Sequence, residues 1–210
     1  MRWVTSAIFG CRGGCRGESS TPFDRAVGYQ PLEPCTAPFP EPVDGDPHPE
    51  TIVTREGSAP GHHWSHGAAF VHAPLADVWQ ALHEPMASHI HGPDMTVTMD
   101  VEPEFPLSFE IRYEAGPVYA RVDWTIRYRA GPLDEGDPPQ SYGLRYQRIA
   151  GTEHVEVQDG SLVATDAGDG VTALQLVCWL DATNQDEDDV RGTVTDWYAD
   201  LRLAIDALPP

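Results

Sequence analysis

The sequence predicts an α+β fold in which one curved antiparallel sheet of about seven strands wraps around a long C-terminal helix. Between Met95 and Tyr128, apolar and polar residues alternate in three successive runs. Clusters of Gly, Pro and Asp separate these runs from three more strand-like ones. The period then changes from two to three and four, and the tail reads as one amphipathic helix.

The chain has 210 residues, and its 20 prolines concentrate towards the N-terminal side. Residues 1–60 have little apolar periodicity and are expected to form an extended, weakly ordered leader, a truncated signal followed by a disordered tether, with the folded domain spanning 61–210. In the leader, "MRWVTSAIFGC" places a short apolar stretch between Arg2 and Cys11. It is similar to the end of a bacterial lipoprotein signal, whose cysteine carries lipid. The stretch is shorter than the roughly 7–15 apolar residues such signals use. Cys11 is thus a candidate lipidation site, and the compartment stays open: cytoplasmic, or extracytoplasmic if Cys11 is anchored.

The domain opens with "WSHGAAFVHAP", a strand ending at Pro74. "PLADVWQALHEP" follows as a short helix, because Pro74 suits a first turn and Leu75, Val78, Trp79 and Leu82 share one face. Met95, Val97, Met99 and Val101 form the first alternating run. Leu107, Phe109, Ile111 and Tyr113 form the second, and Val118 to Tyr128 the third. Such a pattern describes antiparallel strands covered on one face and wet on the other. Ser141–Ile149, Glu153–Ala164 and Val171–Ala182 complete the strands, with "DAGDG" (166–170) as a hairpin loop that tolerates left-handed backbone. In the tail, Val190, Val194, Trp197, Leu201, Ile205 and Leu208 line one stripe. Burying six such side chains contributes on the order of 10 kcal/mol gross, at about 2 kcal/mol each. The helix must therefore lie on the apolar face of the sheet. Asp186 to Asp189 fall at its start, where the helix dipole favours negative charge.

The formal charge is −20, from 33 acids against 13 bases, and every base is Arg. A body this acidic repels phosphate backbones, which argues against nucleic acid as a partner. No apolar run reaches the roughly 18 residues of a membrane-spanning helix.

The stretch "GHHWSHG" (61–67) raises the question of a metal. On a strand, His62 and His66 stand about 13 Å apart, too far to share one ion. His89 and His91 offer two ligands from a loop, but no matching carboxylate or cysteine motif completes a set. No metal and no cofactor is expected, and the histidines read as a partly exposed group that charges at low pH. The four cysteines form no zinc motif, and Cys178 reads as a small buried hydrophobe. Nucleophile-elbow, phosphate-loop and calcium-loop patterns are lacking.

"VHAPLADVWQAL" (71–82) and the closing "TVTDWYADLRLAIDAL" (193–208), together with the order of elements, resemble the START/Bet v 1-like (SRPBCC) superfamily over about Trp64 to Leu208. The resemblance implies the helix-grip fold and a cavity between sheet and helix for an apolar ligand such as a lipid, sterol or polyketide-like molecule. Some relatives are enzymes and others carriers, so it does not fix an activity. Alternation places Tyr113, Trp124, Tyr128 and Tyr146 on the inner face with Met95, Met99, Phe109 and Cys178. Trp197 and Leu201 face them from the helix. These residues either line a pocket or fill the core. Three functions follow as expectations. The first is binding of a hydrophobic small molecule or lipid without catalysis. The second is a cyclase or hydratase with a Tyr or His acid–base group. The third is an envelope lipoprotein with a protein partner.

Overall fold

A computed structural model describes residues 28–85, 94–116 and 121–209. Its strands are β1 (Ile52–Ala59), β2 (His62–Val71), β3 (Asp94–Met99), β4 (Leu107–Ala115), β5 (Val122–Pro132), β6 (Ser141–Gly151), β7 (Val155–Gly168) and β8 (Val171–Ala182). The helices are α1 (Leu75–Leu82) and α2 (Glu187–Asp206). All eight strands form one antiparallel sheet in the order β1-β2-β8-β7-β6-β5-β4-β3. Leader residues before 28, including Cys11, and the loop histidines His89 and His91 lie outside the described residues. Among the described residues, no helix is long and apolar enough to cross a membrane.

The sheet has eight strands where about seven were expected, because it begins at Ile52, inside the span read as leader. The physical reason lies in what β1 touches. Glu56 takes an ion pair from Arg191 at 3.2 Å, and the Ser58 hydroxyl donates to Glu187 Oε1 at 2.6 Å. Both partners are on α2. This strand is held to the helix largely by polar groups, so it carries no run of alternating apolar residues.

Residues 28–50, within the span read as a weakly ordered leader, pack on the outer face of the sheet. Leu32 N–H donates to Ser161 Oγ at 3.0 Å. Glu33 Oε1 lies 2.9 Å from His66 Nε2 and accepts from Trp179 Nε1 at 2.7 Å. Thr36 N–H donates to His66 Nδ1 at 2.9 Å, so that nitrogen is the acceptor and Nε2 carries the proton. Phe39 stacks on Phe70 with ring centroids 4.9 Å apart. The histidine-rich strand thus has a structural use, since the outward-facing His66 is buried under this strap.

On the inner face, Val190, Val194, Trp197 and Leu201 of α2 are buried, as the stripe requires. The helix crosses β2 at Gly67, where a Cβ would sit 2.6 Å from a Val194 methyl. Its start is fixed by a capping box: Asp186 accepts from the Asp188 and Asp189 N–H groups, and Asp189 accepts from Asp186 N–H. In the β7–β8 hairpin, Gly168, Asp169 and Gly170 all have positive φ, the left-handed geometry anticipated for "DAGDG".

Candidate functional site

Strands β4, β5 and β6 present one aromatic side chain after another to the inner face. Register sets this: Phe109 pairs with Tyr128, Tyr113 with Trp124, and Tyr128 with Tyr146, so each pair shares a face. Phe109 and Tyr128 stack at 4.6 Å, and Tyr113 and Trp124 at 5.1 Å. Tyr128 then tilts against Tyr146 at 5.6 Å, and Tyr146 meets Trp197 of α2 edge-on at 5.4 Å. The result is a continuous aromatic ladder from the β4 side of the sheet to the C-terminal helix. Phe109, Tyr113, Trp124, Tyr128, Tyr146, Cys178, Trp197 and Leu201 all belong to one buried cluster, and Met95 packs against it half-buried.

Met99 departs from the expectation. It is 40 % exposed, whereas the alternation of β3 placed it inward with Met95 and Val97. The cause is its position as the last residue of an edge strand, followed by Asp100 with φ of 55°. Its cross-strand partner Phe109 turns instead to stack on Tyr128, which leaves the methionine to solvent.

The three tyrosine hydroxyls of the ladder have buried partners. Tyr113 Oη and Tyr128 Oη are 3.2 Å apart. Tyr146 hydrogen-bonds the Cys178 thiol. Burial pushes the Tyr113 hydroxyl up to about 12 and the Cys178 thiol up to about 12, and it holds Tyr128 and Tyr146 well above the ordinary tyrosine value. Near neutral pH all four stay protonated. They can donate hydrogen bonds, but none is poised as a base.

The ladder depends on Gly160 of β7. A Cβ there would fall 2.2 Å from Tyr146 Oη and 2.3 Å from Val177 O. Only a glycine lets the Tyr146 ring lie across the strand.

Sequence reasoning missed Arg148. By the alternation Leu144, Tyr146, Arg148, and by its pairing with Ile126, it belongs to the inner face of β6. It is the largest fully buried side chain among the described residues. The same alternation could have revealed it, as a charge where an apolar residue is due.

An antiparallel sheet gripping a C-terminal helix, with its apolar residues turned to the space between them, defines the START/Bet v 1-like helix-grip fold, and solved structures of that class superpose on this chain. The human StarD13 (DLC2) lipid transfer and protein localization domain matches with TM-score 0.53 at 12% identity, covering 76% of this chain and 86% of that one. Human StAR-related lipid transfer protein 5 matches with TM-score 0.51 at 12% identity, covering 75% and 84%. Human STARD10 matches with TM-score 0.50 at 8% identity, covering 73% and 69%. No protein-family model matches the chain, and no curated protein matches it.

Proposed function

We propose that the protein binds a hydrophobic small molecule or lipid between the inner face of the sheet and α2, and that it does so without catalysis. The aromatic ladder from Tyr113 and Phe109 to Trp197 carries this reading. Flat rings supply large apolar contact at small entropic cost, while buried hydroxyls orient a polar group on the ligand. Two of the similar structures are lipid transfer proteins by name, which favours the same class of ligand. The test is native mass spectrometry of the full chain before and after incubation with a panel of phospholipids, fatty acids and sterols. Solvent extraction then identifies any adduct. An added mass that extracts as an apolar compound supports the proposal. A bare mass across the whole panel overturns it.

The Tyr113–Tyr128 hydroxyl pair favours a second reading, a cyclase- or hydratase-type enzyme in which one tyrosine donates a proton. It predicts that Tyr113→Phe abolishes turnover of a polyketide-like substrate while leaving its binding intact. Equal turnover by the variant would exclude Tyr113 as the acid.

A further inference from the structure

Arg148 is fully enclosed, yet among the described residues no ion pair reaches it. Its Nη2 donates to Gly151 O at 3.0 Å and to Thr152 O at 3.1 Å. Its Nε and Nη1 are buried with no hydrogen-bond partner. Guanidinium offers donors only, so these N–H groups require an acceptor. The carboxylates nearest in electrostatic reach are Glu156 and Asp159. Glu156 is exposed, and Asp159 is committed elsewhere: it accepts from the Arg148 backbone N–H at 3.3 Å and faces Arg145 at 3.8 Å.

A second orphan lies in the same corner. Trp124 stands opposite Gly151, the residue whose carbonyl Arg148 holds. Its indole Nε1–H is also buried without a partner. Both side chains fall on the inner face by alternation along their strands, and the β-bulge between Thr125 and Ile126 in the β5–β6 register sets Gly151 opposite Trp124. The polar groups left open at this end of the ladder are therefore N–H donors, and one carries a full positive charge. Burying such a charge with no carboxylate in direct contact is unfavourable.

We propose that this corner receives the carboxylate of an amphiphilic ligand, whose apolar body runs along the aromatic ladder. The inference rests on the apolar-binding reading above and names its ligand class. One guanidinium neutralises one negative charge, which suits a carboxylate better than a doubly charged phosphate. Arg148 supplies the charge-assisted hydrogen bonds, and Trp124 Nε1 adds a neutral one.

The test compares oleate with oleyl alcohol on the full chain by calorimetry, with acetate and inorganic phosphate as free-anion controls. Oleate is expected to bind at least about tenfold tighter than the alcohol, the scale of a charge-assisted hydrogen bond. Arg148→Gln should erase that preference, and Trp124→Phe should narrow it. Equal binding of acid and alcohol would overturn the carboxylate site while leaving the apolar carrier standing. Binding of neither oleate nor the alcohol would overturn this inference. If other lipids of the panel then leave an adduct, the apolar carrier stands, and if none does, both fail together. Acetate or phosphate protecting the protein as well as oleate would make the corner a free-anion site and overturn the amphiphile. Arg148 also caps two carbonyls, so its variant can fail to fold. In that case carboxyl-labelled oleate on the natural protein decides by NMR. A bound carboxyl that stays ionised well below the pH at which the free acid protonates supports the pairing, and one that titrates like the free acid refutes it.

Discussion

At Gly160 the absence of a side chain is what places Tyr146 in the ladder. Gly160→Ala would drive a methyl into the Tyr146 hydroxyl and the Val177 carbonyl, both closer than 2.5 Å. Neither strand backbone nor a stacked ring yields easily, so the expected loss is about 1–3 kcal/mol, read as a lower midpoint in denaturant. Unchanged stability would mean that Tyr146 is free to swing away. Glu33 acts at the same scale on the opposite face. Its single Oε1 serves both His66 and Trp179. Glu33→Ala strands both donors and should cost about 1–3 kcal/mol. Limited proteolysis should then cut within residues 28–50 before the sheet is touched, and a cleavage pattern identical to that of the parent protein would contradict the pin. The Tyr113, Trp124 and Tyr128 positions were legible because strict alternation assigns a face residue by residue. The Glu33–His66 pair was not, since its members are 33 positions apart and no local pattern links a strap to the strand beneath it.

Among the elements, α2 was the most legible, because four of its stripe positions are buried where a period of three and four puts them. Strand β1 was hidden because its inward residues Glu56 and Ser58 answer α2 with an ion pair and a hydroxyl contact. The start of α2 is therefore where helix and edge strand are tied together, and Asp186 holds it. Asp186→Ala removes the side chain that accepts from the Asp188 and Asp189 N–H groups. An N-cap of this kind is worth about 1 kcal/mol, and Asp186→Asn should restore most of it. Hydrogen exchange of the first turn of α2 and of the β1 amides should accelerate together in the alanine variant. Acceleration confined to the helix would show that the two elements are not coupled.

At the scale of the whole molecule, the ladder tyrosines are buried, and alkaline pH measures how firmly. In the folded protein Tyr113 titrates at about 12, against an ordinary value of 10.0, and burial holds Tyr128 and Tyr146 higher still. The unfolded chain releases these protons first. Between about pH 10 and 12 the native state therefore binds more protons than the unfolded one, and stability falls as pH rises. As tyrosine hydroxyls ionise, the net charge of −20 becomes more negative and adds self-repulsion. The expected outcome is that the ladder tyrosines ionise only as the far-ultraviolet circular dichroism collapses. Tyr113→Phe removes one of the groups that drive the collapse and should move its midpoint to higher pH. A saturating apolar ligand seated on the ladder should move it the same way, because binding adds to the free energy of the folded state alone. If instead all the tyrosines ionise near their ordinary value in a protein that stays folded, water reaches the inner face freely, and the ladder cannot hold a ligand by burial.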